Sequence, residues 1–483
     1  MTDQQVTAIP RPAQVDAIPA RLEPDAIGVA QDTIIGLASS APAATIAVTL
    51  AVLAATAAYS GGAVVILCGI PMLILANSYR RLNLWNANCG ASFEWVGRAI
   101  NPYLGFIVGW MMLAGCLVGT ISVVVVLSPA VLAVFGASAS SPWPNIFIST
   151  AVILIMLIIA VVGIKLTART QVAIAAVEYM IVIGFAVAAF IWVLSHHHGT
   201  YPITRSWLSL SGINGKGDLA AGLLIAVFMY TGWDATVYVN EEVRHRRVNP
   251  GRAAVFAVAL LVILYAFPQI AMQGVVSPAN LQAHSSSALV YIAQVLGGSG
   301  WAKVMAFALA LSVIASTLVG IVIISRIAYG MASHRVLPPI LGNVSRRFST
   351  PAIGTIIIGA ILIAATWVYL LSTSIANVFS DVVNVTGLLF ACFYTLTALA
   401  TIMYYRHRIF SNVWDALLVG ILPLGAAGFL GWVVVKSLQA APASQKWSLV
   451  GIIGVGLVLM LVARFVLRSQ FFHIRLESAS KEQ

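Results

Sequence analysis

Charge is what this 483-residue chain has least of: Asp, Glu, Lys and Arg make up 8% of it, against 60% hydrophobic residues. With a mean hydropathy of +0.97, a water-soluble globular fold is excluded, since too little polar surface exists to coat one. Histidine is also scarce: there are eight, all in sequence regions that read as loops or tails. There is no HExxH, and no His shares a span with a Ser or Cys, so an intramembrane zinc enzyme or histidine-based hydrolase is excluded. The run His196–His198 has no acidic or thiol neighbour and reads as a solvated loop. The four cysteines, Cys68, Cys89, Cys116 and Cys392, are scattered, with neither metal-ligand spacing nor a reason to draw a disulfide. No metal and no cofactor is implied.

What the chain does have is long apolar runs, which make it polytopic and all-α. Twelve spans are expected: Asp32–Ala58, Gly62–Tyr79, Pro102–Val126, Asn145–Val162, Thr170–Leu194, Asp218–Asn240, Arg252–Val276, Trp301–Met331, Pro351–Leu371, Ile375–Tyr405, Trp414–Val435 and Trp447–Val466. The net charge of +11 follows this topology. All Lys and Arg except Arg205, Lys216, Lys303, Lys436 and Lys446 fall on the side of the N-terminus. By the positive-inside rule that side is cytoplasmic, with both termini in it, so the basicity encodes orientation in a cytoplasmic membrane rather than a nucleic-acid partner. Residues 1–28 read as a disordered cytoplasmic tail without the apolar core of a signal peptide. Residues 29–405 form a ten-helix core, 406–470 two further helices, and 471–483 a second cytoplasmic tail.

The chain is organised around FMYTGWDATVYVNEE, Phe228 to Glu242. Partway across the sixth span it places Thr231, Gly232 and Asp234 where a lipid-facing helix would carry Leu. Gly232 favours a break in the helical hydrogen bonding, and an ionisable group at membrane depth marks a binding or coupling site. The alternative is a Gly kink with Asp234 paired to a neighbouring helix. A break here would leave the carbonyls from Met229 to Thr231 as free acceptors for an ammonium group. Tyr230 and Trp233 would cover an apolar side chain or hold that ammonium by cation–π attraction, unless they only pack.

The first span is interrupted at Ser39, Ser40 and Pro42. Pro suits the first turn of a new helix, so two half-helices are expected, with amides of Ala43, Ala44 and Thr45 facing the gap as a seat for an anionic group. Spans one and six are five helices apart, an odd spacing that inverts the second copy; paired breaks at that spacing point to an inverted-repeat transporter. Glu178 lies in apolar span five with no basic residue at its depth, which disfavours its charge and suits a proton carrier. Span eight offers Ser312, Ser316 and Thr317, and span ten Asp381 and Asn384. In span three, Gly105/Gly109 and Gly115/Gly119 form two GxxxG pairs, which read as helix-packing signals.

Three segments together resemble the amino acid–polyamine–organocation family of permeases. They are FMYTGWD with Glu241–Glu242 and the basic loop to Asn249–Pro250, GASFEWVGRAINPYLGFIVGW before span three, and SRIAYGMASHRVLPPILGNVSRRFSTP from Ser325 to Pro351. The resemblance implies a five-plus-five inverted-repeat fold with discontinuous helices one and six, and alternating-access transport of amino acids or amines. Two departures stand out. The first break reads SSAPAAT where the family has a Gly-rich turn, and Glu178 takes the place of a span-five Lys that couples transport in several members.

The function expected is therefore a secondary active transporter, not an enzyme, importing an amino acid with protons. Polyamine or organic amine import and amino acid exchange are the alternatives within transport, with sodium as the alternative coupling ion; a transporter-like nutrient sensor is the rival outside it. The expected substrate site is Ser39, Ser40, Ala43, Thr45, Met229, Tyr230, Thr231, Gly232 and Trp233, with Glu178, Asp234, Ser316 and Thr317 for coupling. The partners are the substrate, the coupling ion and the lipid bilayer.

Overall fold

The structure, a computed structural model, describes residues 21–137, 141–195, 201–211, 213, 216–372 and 375–479. Among these the only β pairing is an isolated bridge. The first broken span is α1 (Val29–Ser39) and α2 (Pro42–Ala57), followed by α3 (Gly61–Trp85) and a short amphipathic α4 (Ser92–Ala99). Spans three to five are α5 (Pro102–Val134), α6 (Pro142–Val162) and α7 (Ile164–Leu194). The second broken span is α8 (Lys216–Met229) and α9 (Ala235–Tyr238), then α10 (Asn249–Gln273) and α11 (Pro278–Ala283). The remainder is α12 (Ala288–Ser333), α13 (Ala352–Ser372), α14 (Ile375–Tyr405), α15 (Val413–Asp415), α16 (Leu422–Ala440) and α17 (Ala443–Leu461).

Ten stretches among the described residues are long and apolar enough to cross a membrane. One of them, Val29–Trp85, runs 57 residues and covers two expected spans, and the shorter Asp218–Met229 adds the broken sixth. The apolar window of α12 is 83% buried and that of the segment Ala443–Val466 only 17%. The most enclosed stretches are thus α12, α14 and the first broken span with α3, with α17 at the rim, where exposed Val, Leu and Phe side chains suit contact with lipid.

Small residues set the close contacts. Gly105 abuts the backbone of Gly97 on α4, and Gly330 on α12 abuts Gly90, so neither site admits a side chain. α12 starts thirteen residues before the expected Trp301, because a kink at Gly297 and Gly298 (φ +75°) joins a preliminary helix to the span proper. His196–His198 lie outside the described residues.

The two ends of the chain meet the same face. Residues 1–20 lie outside the described residues, but residues 22–28, read from the sequence as tail, are docked: Leu22 and Ile27 are buried. Ala26 donates to the Glu242 carbonyl at 2.8 Å, and Ile27 bridges Val243 in parallel. The second tail is docked too, through residues 471–479. Phe471 stacks on Phe93 of α4 at 4.2 Å, and Glu477 takes hydrogen bonds from Arg98 (2.8 Å) and Trp85 (3.2 Å). The amides of Glu477 and Ala479 donate to the carbonyls of Arg98 and Tyr404. Composition alone reads both stretches as polar tail; their few apolar residues find prepared surfaces.

Candidate functional site

Both expected breaks are present, and they touch. α1 ends at Ser39, Ala41 takes a left-handed conformation (φ +43°), and Pro42 opens α2 at its first turn. The Ser40 carbonyl, stranded by the break, accepts from Thr45 Oγ1 (2.7 Å) and Tyr265 Oη (3.0 Å). In the sixth span, α8 stops at Met229 and the chain turns through Gly232 (φ +102°) before α9. A Cβ on Gly232 would lie 2.8 Å from the Ser39 carbonyl carbon. The carbonyls of Met229, Tyr230 and Thr231 accept no hydrogen bond among the described residues.

Where the breaks meet, a cavity leaves about 40 Å³ open to the centre of a water-sized sphere. Ser39, Ser40 and Thr45 line it from the first span, and Phe228, Thr231 and Gly232 from the sixth. α12 presents Ser316, Gly320 and Ile323, and α14 presents Thr386 and Phe390. The remaining wall is one face of α5: Gly115, Cys116, Gly119, Thr120 and Val123. No charged residue is on the wall. Ser316 Oγ donates to the Ser39 carbonyl at 3.3 Å. The half-buried Ser39 hydroxyl has no hydrogen-bond partner among the described residues.

Several expected site residues are elsewhere. Tyr230 is buried away from the cavity: its hydroxyl donates to the Val65 carbonyl at 3.1 Å and its ring meets Tyr265 edge-on. Trp233 sits between Tyr79 (4.9 Å) and Tyr394 (5.5 Å). The packing alternative therefore holds for both aromatics. Met229 contributes no side chain to the wall, and Thr317 donates to the Val313 carbonyl of its own helix. Asn384 is half-buried on α14, and the side chain of Asp381 lies outside the described residues.

The two central carboxyls stand behind the wall. Asp234 is fully buried and accepts from Tyr394 Oη at 3.0 Å and from Tyr238 Oη. Tyr394 belongs to α14, so Asp234 is paired to a neighbouring helix, the alternative given for this position. Glu178 closes the start of α2. Its Oε1 accepts from the Ala43 amide at 3.1 Å, the Ala44 amide donates to Ser312 Oγ at 3.3 Å, and the Thr45 amide makes the first bond of its own helix. These amides, expected to be free, are all taken, because α7 and α12 bring a carboxyl and a hydroxyl to the positive helix end. Glu178 Oε2 is buried without a hydrogen-bond partner.

Sequence reasoning missed α5 and α14. Gly115 and Gly119 read as a packing motif, but Gly119 faces open space: a Cβ there would meet only Thr386 Cγ2, at 3.4 Å. The available signal was Thr120 and Val123 continuing the same face at helical spacing. Asp32 was missed as well. It is fully buried in the first turn of α1 with neither oxygen hydrogen-bonded, although the sequence reads it as the edge of the span.

The sequence profile described as "Amino acid permease" matches residues 26–465. The D-serine/D-alanine/glycine transporter of Escherichia coli is 21% identical over 350 residues, 71% of this chain and 73% of that protein. The large neutral amino acids transporter small subunit 2 of Mus musculus is 26% identical over 249 residues, covering 51% and 43%. Among solved structures, MhsT in complex with L-phenylalanine superposes with a TM-score of 0.60 at 15% identity, covering 85% of this chain and 99% of that one.

Proposed function

Because the chain belongs to the amino acid permease family, a family of transporters and not of enzymes, we propose that it carries an α-amino acid across the cytoplasmic membrane together with a proton. The observation that carries this reading is the uncharged cavity where two helix breaks meet. Thr231, which lines it, has a carbonyl with no hydrogen-bond partner among the described residues, suited to an ammonium group. Beside it lies the unpartnered Ser39 hydroxyl, 2.9 Å from where a Cβ on Gly232 would sit and a donor for a carboxylate. A zwitterion supplies a partner for each. A polyamine would need an acid on the wall, and Asp234 and Glu178 both stand behind it, so the amine reading is the weaker one. The relatives are named for D-serine, D-alanine and glycine in one case and for large neutral amino acids in another, which agrees with an uncharged cavity wall.

The proton reading rests on Glu178. As a carboxylate it is an anion held by the first amides of α2. Its free Oε2 is the atom a proton would occupy, and protonation weakens the hold on the half-helix that carries Thr45 into the cavity. Protonation and the geometry of the first break are thereby linked. The excess of basic residues on the face where residues 22–28 and 471–479 dock supports a cytoplasmic orientation for that face.

The test is uptake of labelled amino acid into liposomes containing the purified full chain, under an imposed pH gradient and, separately, a sodium gradient. Accumulation with the pH gradient alone is expected. Accumulation with sodium alone would remove the proton, and counterflow without response to either gradient would make the protein an exchanger.

A further inference from the structure

We infer that the protein carries a site for one anionic phospholipid, its phosphate held by Arg80, Arg81 and Arg252 and its acyl chains laid along α3 and α10. These two helices run antiparallel and in contact along most of their length. A Cβ on Gly62 would strike Ile270, one on Gly69 would meet Val262 Cγ2 at 2.7 Å, and one on Gly251 would meet the Arg80 Cα at 2.6 Å. Beside this seam each helix carries a row of exposed apolar side chains: Ile66 and Ile70 on α3, and Phe256, Leu260 and Ile263 on α10. Counted from the seam at about 100° per residue, both rows fall on the same side of the pair. They therefore border one groove that faces lipid.

The groove ends in a cluster of like charge. Arg252 continues the α10 row one turn before Phe256, Arg80 lies across the seam, and Arg81 and Arg252 both act on Arg80 as like charges. Among the described residues neither Arg80 nor Arg252 forms an ion pair, and the Arg80 side chain donates only to Asn77 Oδ1, at 3.3 and 3.0 Å. Arg81 stands 4.0 Å from Asp415, a carboxylate it shares with Arg408 at 3.4 Å. The Arg81 Nε is buried without an acceptor. Orientation in the membrane accounts for basic residues on this side. It does not require three guanidiniums to gather with donors left over. A phosphate joined to apolar chains answers both features, since its oxygens match the guanidinium fork and its chains match the groove.

The experiment titrates the purified full chain in detergent with phosphatidylglycerol, phosphatidylcholine or inorganic phosphate. Native mass spectrometry reads bound lipid and a melting curve reads stability. One phosphatidylglycerol per chain and a raised melting temperature are expected; phosphatidylcholine and inorganic phosphate should give neither. Arg252 is exposed and has no side-chain partner among the described residues. Arg252→Ala should weaken phosphatidylglycerol about tenfold, the loss for a hydrogen bond to a charged group, and Arg80→Gln with Arg252→Ala should remove the one-to-one complex. Arg335→Ala takes the same charge from an exposed position elsewhere and should bind as the parent does. A parent-like melting curve without lipid reports that each variant is folded; if the double variant is not, Arg252→Ala decides. Equal binding of phosphatidylcholine overturns the inference. So does displacement of the lipid by inorganic phosphate, which would make this a site for a free anion. Equal losses in Arg335→Ala and Arg252→Ala overturn it too, leaving only the general attraction of a basic face.

Discussion

Gly232 and Ser39 are in backbone contact, so the two interrupted helices meet at their interruptions: a side chain on Gly232 would overlap the Ser39 carbonyl carbon at 2.8 Å. The positive φ of +102° at Gly232 adds a second obstacle to any L side chain. Gly232→Val should therefore abolish amino acid binding and destabilise the protein, with strain of about 1–3 kcal/mol from the backbone alone. Equilibrium binding alongside a melting curve checks this. A variant that binds as the parent does would place the substrate away from this contact.

Glu178→Gln keeps an oxygen for the Ala43 amide but cannot exchange a proton. Accumulation driven by a pH gradient should be lost, while substrate binding and counterflow persist. Uptake and counterflow measured on the same liposome preparation decide it. Parent-like accumulation would reduce Glu178 to a structural cap of α2.

Asp234 holds two phenols and touches no cavity volume. Tyr394→Phe should therefore cost about 1.5–3 kcal/mol of stability, the range for a hydrogen bond to a charged group, with a smaller effect on affinity. Asp234→Asn leaves one phenol facing an amide donor and should impair transport more than binding. A double-mutant cycle between positions 234 and 394 isolates the coupling.

Arg326 and Glu242 form a fully buried bidentate pair, with both N–O distances at 2.9 Å. Glu242→Ala strands the guanidinium and should cost about 3–5 kcal/mol. Replacing both residues with apolar ones of similar size should restore most of that loss. Denaturation of the single and double variants in detergent reads the difference.

The docked C-terminal stretch should respond to acid. Burial opposes the charge of Glu94 in α4, but His334 and Arg98 outweigh it and hold its carboxyl below the usual range. A group shifted downward on folding contributes above its unfolded value and loses that contribution as pH falls through its folded one. Glu94→Gln should therefore loosen residues 471–479 at neutral pH, seen as faster proteolysis there, and the difference from the parent should vanish in acid. A pH-independent difference would make Glu94 a packing residue only.

The breaks were legible because Pro42 and Gly232 act locally, through a missing amide and a missing Cβ, and such effects survive any tertiary setting. The presence and order of the spans were legible because bilayer thickness sets a minimum apolar length, but their limits were not: α5 runs to Val134 rather than Val126, and α12 begins at Ala288 rather than Trp301. What lies on the cavity wall was not legible either. Which side of α5 faces α14 depends on helix rotation, so Gly119 looked identical to Gly105, although one borders a void and the other a backbone. Nor could sequence foresee that Glu178 would occupy the amides of α2, since that meeting joins residues 135 positions apart.

The bridge from Ile27 to Val243 has a mechanical consequence. It fastens the start of α1 to the strand-like exit of the sixth span, while Ser39 and Gly232 fasten the other end. α1, at eleven residues, is a rod about 16 Å long pinned at both ends to the same neighbour. α2, by contrast, is joined to α1 only through Ser40 and Ala41. α1 and α9 are thus tied together at both ends, and the chain leaves this pair for the longer half-helices only through Ser40–Ala41 and residues 230–234.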